Sequence, residues 1–234
     1  MDNKKVEIVL LVDRSLCMQK ARTAVVSTLG TIYYVQAMAP GSANISLYTY
    51  SREIHTVTAR NNALRVHGPH IRNYGLRDEE PALLDALAEV IDKTGQTLAD
   101  TPEAERPRAV YICVLCGTGA EASCRESFES VAERVRLQQD VYKWNFLFFA
   151  PEGVASDFAG KLGISENHVA AWDPTRRASC GRALRAMSSL IHADRVVNTG
   201  TKHPPKVDRI FRSSLAELFE TGFQTHVAMN FRVS

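Results

Sequence analysis

The sequence predicts an α/β fold of the Rossmann-like, doubly wound kind: a mostly parallel sheet with helices on both faces and one antiparallel edge strand. Three observations carry this expectation. Near-continuous apolar runs, Glu7 to Val12 and Arg108 to Cys116 among them, read as strands buried on both faces. Between such runs lie stretches whose apolar residues recur at three and four positions, as along one face of a helix. Finally, Ile45 to Tyr50 and Glu53 to Thr58 are joined only by Ser51-Arg52, too little chain for a helical crossover and enough for a hairpin.

Each element follows in order. The first strand ends at Asp13, and from Met18 to Met38 the residues Ala21, Val25, Leu29, Ile32 and Val35 keep helical spacing until Pro40-Gly41 closes the helix. After the hairpin, a short helix around Ala63 to His67 leads into a loop. Ala82 to Ile91 reads as a helix opened by Pro81, a residue suited to the first helical position. Arg108 to Cys116 is the next strand, Glu121 to Leu137 the next helix, and Tyr142 to Ala150 the strand after it. Val154 to Leu162 is a short helix stopped by Gly163, His168 to Trp172 a short strand, and Arg176 to Ala193 a basic amphipathic helix. Thr199 to Pro205 reads as a linker, Val207 to Glu220 as a helix, and Phe223 to Val233 as an extended segment. The organisation expected is one α/β domain over residues 1–195 and a C-terminal extension over 196–234.

Composition agrees with this picture. A chain of 234 residues that is 45% hydrophobic, 23% charged and 8% aromatic fits a globular domain with an appendage. The longest apolar runs are strand-sized, short of the roughly 20 residues of a bilayer span, so no membrane segment is expected. Met1 to Lys5 leads into the first strand without the apolar core of a secretory signal, so a cytoplasmic protein with reduced thiols is expected. The five cysteines, Cys17, Cys113, Cys116, Cys124 and Cys180, are odd in number and need no disulfide framework. Cys113 and Cys116 lie on one strand, point to opposite faces and read as buried thiols, not as a chelate.

The net charge of +2 conceals an asymmetry. Residues 78–105 hold nine acids against the single base Lys93, whereas residues 176–212 hold nine bases against Asp194 and Asp208. Such blocks can steer a charged partner or each other, or simply be solvated helix faces.

In a doubly wound sheet, ligands sit outside the carboxyl ends of the strands, so the loops Asp13 to Met18, Tyr74 to Pro81 and Gly117 to Ser123 matter most. The first carries a resemblance. Val9-Leu10-Leu11-Val12-Asp13-Arg14-Ser15-Leu16-Cys17-Met18 resembles the opening strand and first metal-site loop of von Willebrand factor A domains, whose pattern is Asp-x-Ser-x-Ser followed by Met. Ala82-Leu83-Leu84-Asp85-Ala86-Leu87 is similar to the start of that family's third helix, and Gly117-Thr118-Gly119 stands where members have Thr-Asp-Gly. Trp144 to Ala150, Ala159 to Ile164 and Ala186-Met187-Ser188-Ser189 resemble stand-alone members from bacteria and their phages. The resemblance covers about residues 5 to 193 and rests on the order of several motifs.

The resemblance implies a site for a hard divalent cation, usually Mg²⁺, in an octahedron of oxygens. In the family the first loop supplies a carboxylate and two hydroxyls, the second a Thr hydroxyl and the third an Asp, while the partner protein completes the shell with a carboxylate. Asp13 and Ser15 match this pattern. Cys17 replaces the second Ser with a soft sulfur, Pro81 stands in place of the Thr, and Gly117 in place of the Asp. Thr118 and the trio Asp78, Glu79 and Glu80 are the nearest substitutes. The expectation is a degenerate metal site with no cofactor, in which Asp13 and Ser15 shape the loop by bonding backbone amides and Asp85 packs or caps.

The implied function is non-catalytic protein binding. Arg14, Leu16, Asp78, Glu79, Glu80 and Thr118 at the strand ends, with Arg209 and Arg212 in the extension, are the candidate contacts for a protein partner or another copy. A Mg²⁺-dependent adhesion-type domain is the first alternative. A nucleotide-binding enzyme is the second, because Gly117-Thr118-Gly119-Ala120-Glu121-Ala122 follows a strand and precedes an expected helix in the form of a dinucleotide fingerprint. Glu152 would then be the ribose acid, but it lies 30 residues beyond Ala122, and Glu121 would add like charge near the phosphates. No G-x-S-x-G elbow, Walker lysine motif or H-E-x-x-H is present, His67 and His70 read as loop residues, and Cys116 lacks an assigned base. A nucleic-acid reading rests on Lys202, Lys206, Arg209 and Arg212 around Phe211; with aromatic interleaving otherwise thin, it ranks below protein contact.

Overall fold

The computed structural model describes residues 2–65, 74–119 and 122–221. The His67 and His70 pair, Ala120, Glu121 and the expected extended segment Phe223 to Val233 lie outside the described residues.

Six strands form one sheet: β1 (Asp2–Asp13), β2 (Ser42–Tyr50), β3 (Ile54–Asn62), β4 (Pro107–Leu115), β5 (Asn145–Pro151) and β6 (Val169–Trp172). Their order is β3-β2-β1-β4-β5-β6, every pairing is parallel except β2 with β3, and β3 is therefore the antiparallel edge that the short Ser51-Arg52 connection requires. Side-chain alternation divides the interior into two cores. Ile8, Leu10 and Val12 of β1 join Cys113 of β4 on one face, while Val9 and Leu11 join Cys116 on the other, as the strand period demands. The first face is covered by α1 (Arg22–Met38), α5 (Arg177–Asn198), α6 (Pro205–Arg212) and α7 (Leu215–Glu220). The second is covered by α2 (Leu83–Ala99), α3 (Phe128–Asp140) and α4 (Ala155–Leu162), the last stopped by Gly163 at φ 70°.

Several helix bounds differ from the sequence expectation, each for a local reason. A 3-10 turn over Leu16–Met18 precedes α1, so the α-helix proper begins at Arg22 instead of Met18. Ala82 is the N-cap of α2, which leaves Pro81 outside the helix. The helix expected from Glu121 begins seven residues later, at Phe128, where Ser127 and Ser130 cap each other reciprocally.

The expected boundary between residues 195 and 196 falls inside α5, which continues to Asn198. Val207 to Glu220 forms two helices rather than one, broken at Ser213-Ser214, where Ser214 and Glu217 make a capping box. Both bury apolar residues in the first core: Val207, Ile210, Leu215, Leu218 and Phe219, the last with its ring centroid 5.6 Å from that of Phe149 on β5.

Part of the basic block is interior. Arg195, only 1% exposed, donates to the Gln36 carbonyl at 2.5 Å, the Gln36 side chain at 3.0 Å and the Ala39 carbonyl at 3.2 Å, satisfying acceptors at the end of α1. Arg108 pairs with Asp194 at 2.5 Å. Among the described residues, no helix is long and apolar enough to cross a membrane.

Candidate functional site

The carboxyl ends of β1, β2 and β4 converge on Asp13. The Arg14 amide donates to the Tyr50 carbonyl at 2.8 Å, and the Arg77 amide donates to the Arg14 carbonyl at 2.9 Å, which ties the loop before α2 to the end of β1. The Tyr74 hydroxyl donates to the Asp13 carbonyl beneath. Asp13 itself is fully buried, and its carboxylate faces backbone: Oδ1 accepts from the Ser15 amide at 2.7 Å and Oδ2 from the Gly117 amide at 3.0 Å. The Cys17 thiol donates to Oδ2 at 3.6 Å and shares a hydrogen bond with the Ser15 hydroxyl at 2.9 Å. Burial raises the Asp13 carboxyl above its ordinary value against the lowering effect of these donors, and burial with the Asp13 charge pushes the Cys17 thiol up to about 12.

Gly117 explains itself sterically. A Cβ there would lie 2.6 Å from Cys17 Sγ, 2.7 Å from Met18 Sδ and 3.1 Å from Asp13 Oδ2. The space into which a third-loop Asp would reach is therefore filled by two sulfurs. With both Asp13 oxygens on amides, Pro81 without a side-chain oxygen and a thiol at residue 17, the donors are a poor match to the octahedral oxygen shell of Mg²⁺. Among the described residues, no group of three His, Cys, Asp or Glu side chains is arranged to hold a metal ion.

Above Asp13 lies a cleft of about 390 Å³ lined by Ser15, Leu16, Cys17, Asp78, Glu79, Glu80, Pro81 and Thr118. Five of the expected contact residues thus share one surface. Leu16 is 46% exposed, an apolar side chain beside three exposed carboxylates. The Ser51 hydroxyl donates to Glu79 at 2.8 Å and holds its carboxyl below the ordinary value. Thr118 Oγ1 is buried with no hydrogen-bond partner among the described residues. Arg14 is half-buried and does not line the cleft, and Arg209 and Arg212 sit on α6, which packs on α5.

The third loop is held by a residue the sequence marked only as packing or capping. Asp85, buried on α2, accepts from the amides of Cys124 at 3.3 Å, Arg125 at 3.1 Å and Glu126 at 2.9 Å, and pairs with the Arg125 guanidinium at 3.4 Å. Burial acts to raise its carboxyl, but these donors outweigh burial and hold it below its ordinary value. The only signal for this in the sequence was an acid set among the apolar residues of the inward face of α2.

The dinucleotide reading required a helix to open beside Gly119. Instead Ser127, the N-cap of α3, is ten residues beyond Gly117. Glu152 lines a different cleft, with Trp172, Arg176, Arg182 and Phe219. Burial pushes the Cys116 thiol up, and it donates to the Thr118 carbonyl at 2.8 Å.

The chain matches no protein-family profile and no curated protein sequence. Solved structures do share its fold. Proximal thread matrix protein 1 from the mussel byssus superposes with a TM-score of 0.59 at 10% identity, over 80% of this chain and 48% of that one. A von Willebrand factor type A protein from Catenulispora acidiphila gives 0.49 at 12% identity, over 79% and 42%. The manganese-loaded TRAP protein of Plasmodium vivax gives 0.47 at 13%, over 73% and 69%. The chain spans less than half the length of the first two. The strand order, the single antiparallel edge and the flanking helices are those of a von Willebrand factor A fold. Identities this low speak for the fold alone.

Proposed function

We propose that this chain is a non-catalytic protein-interaction module of the von Willebrand factor A fold, acting without a metal ion in the cytoplasm, with the strand-end cleft as its contact face. The observation that carries the reading is the state of the Asp13 loop. Its carboxylate is committed to the Ser15 and Gly117 amides, and the sulfurs of Cys17 and Met18 crowd the third-loop position. The loops around it still present Leu16 and three carboxylates to a partner. Leu16 is the apolar contact this face offers, within a rim of charge.

A ligand that binds only the folded state raises the melting temperature. The test compares EDTA-treated protein with and without excess Mg²⁺ or Mn²⁺, and Asp13→Ala beside it. The expected result is an unchanged melting temperature on adding metal. A rise of several degrees that Asp13→Ala abolishes would instead make the protein a metal-dependent adhesion domain. For the contact face, proteins co-purifying with the tagged chain are expected to be lost with Leu16→Glu and retained with Tyr142→Ser, a control at another exposed apolar residue. Equal retention by both variants would sink the cleft as the binding face.

A further inference from the structure

We infer that α1 is the contact face of a two-fold dimer, in which α1 of one copy packs antiparallel against α1 of a second. This face is separate from the strand-end cleft and does not rest on the reading of it. Residues 23–51 contain no Asp, Glu, Lys, Arg or His, in a chain that is 23% charged. For β2, buried in the sheet, that is ordinary. For α1 it is not, because a helix that covers a sheet normally turns charged residues to solvent. Other helices on this sheet do so: Asp92 and Lys93 on α2, Glu133 and Arg136 on α3, and Asp157 and Lys161 on α4 are exposed. On α1 the exposed residues are Thr23, Ser27, Thr31, Tyr34 and Met38, with Tyr34 60% and Met38 61% exposed.

Two details prepare this face for contact. The Ser27 hydroxyl donates to the Ala24 carbonyl at 3.2 Å and the Thr31 hydroxyl to the Ser27 carbonyl at 3.3 Å, so the polar atoms turn back onto the helix and lose little when water leaves. Gly30 lies in mid-helix, where glycine is a poorer helix former than alanine, yet a Cβ there would meet nothing within 4 Å. The fold of one copy gives no reason for that glycine; close approach of a second backbone does.

The occupant follows from the order of residues along the face. The small side chains Thr23 and Ser27 lie in its first half, the large Tyr34 and Met38 in its second. Thr23 and Met38 are equally far from the point between Gly30 and Thr31, and so are Ser27 and Tyr34. An antiparallel second α1 therefore sets Met38 over Thr23 and Tyr34 over Ser27, large on small at both ends, with the glycines near the axis. A parallel copy in register would set Tyr34 on Tyr34. With no charge on the face, neither a charged peptide nor an anionic lipid surface is drawn to it, whereas contacts between like copies are the more apolar class. α1 begins beside the strand-end loops, where the Arg22 guanidinium donates to the Tyr74 carbonyl at 3.1 Å, so antiparallel pairing leaves the two clefts open at opposite ends of the dimer.

Sedimentation velocity across a concentration series of the full chain tests this. A monomer–dimer equilibrium is expected, with a dissociation constant that changes less than about threefold between low and high salt because no ion pair is screened. Tyr34→Arg is expected to raise that constant about tenfold or more. Gly30→Gln should do the same while melting no lower than the wild type, since a good helix former replaces a poor one at an open site. Leu16→Glu should dimerise like the wild type. Oxidation reads the direction of packing: in a Cys124→Ser background, Thr31→Cys should link two chains and Thr23→Cys should not, being about 22 Å from its copy in an antiparallel pair that rises 1.5 Å per residue. A wild type monomeric at every concentration, Tyr34→Arg and Gly30→Gln chains that dimerise normally, or a dimer lost with Leu16→Glu would overturn the inference, and linkage through Thr23→Cys would overturn the antiparallel form. A monomeric wild type that loses co-purifying proteins with Tyr34→Arg would give the face to a foreign partner instead. A monomeric wild type that melts lower with Tyr34→Arg would give it to residues 222–234 of the same chain.

Discussion

Gly117 governs the strand-end loop because any larger residue there must displace side chains packed between β1 and β4. Gly117→Ala is expected to cost about 1–3 kcal/mol in urea unfolding, the usual penalty of overfilling a packed site. A neutral result would mean that Cys17 and Met18 yield freely. The same packing predicts thiol reactivity. Cys17 is half-buried with its thiol pushed up to about 12, whereas Cys124 is exposed, so alkylation at pH 8 followed by mass spectrometry should label Cys124 well before Cys17. Equal labelling would contradict the Asp13, Ser15 and Cys17 hydrogen bonds. The sequence marked Asp13 and Ser15 as loop-shaping, since an Asp after a buried strand is a local signal, and the Asp13 carboxylate accepts two backbone amides here. It could not show which way the carboxylate turns, because that is set by an amide 104 residues away.

At the scale of elements, the strands were the most legible part, since a run buried on both faces needs no knowledge of its neighbours to be recognised. The start of α3 was not. Residues 124–126 find their acceptor in Asp85, about 40 residues back along the chain, and no local pattern announces a loop whose amides are satisfied from a distance. Asp85→Asn should therefore destabilise the protein by about 1–3 kcal/mol at neutral pH, the range for hydrogen bonds to a charged acceptor. The effect should follow pH with a definite sign. The folded-state pKa of Asp85 lies below its ordinary 3.8, so its stabilisation is fully present above that value and is lost as pH falls through the folded value. The gap between wild type and Asp85→Asn should be constant from pH 5 to 7 and shrink below about pH 4. A gap that widens on acidification would exclude this role for the carboxylate.

For the whole molecule the question is whether residues 199–221 are an appendage or part of the fold. The linker expectation came from the Pro, Gly and Thr content around residue 200, which is a true local signal: among the described residues, 201–204 have no regular structure. What local composition cannot convey is that the two helices beyond that segment return to the first core. Five side chains, Val207, Ile210, Leu215, Leu218 and Phe219, are buried there, none more than 6% exposed. Burying each contributes roughly 1.5–3 kcal/mol, and the sum is comparable with the roughly 5–15 kcal/mol that is the whole stability of a domain. The full chain should therefore unfold in urea as one transition, with tryptophan fluorescence and far-ultraviolet dichroism coinciding, because α7 packs beside β6, the strand that carries Trp172, one of the two tryptophans. A chain ending at Asn198 should lose that cooperativity or melt far lower, and Leu215→Ala in the full chain should cost about 2–5 kcal/mol. If the shortened chain melts like the full one, α6 and α7 are not part of the domain.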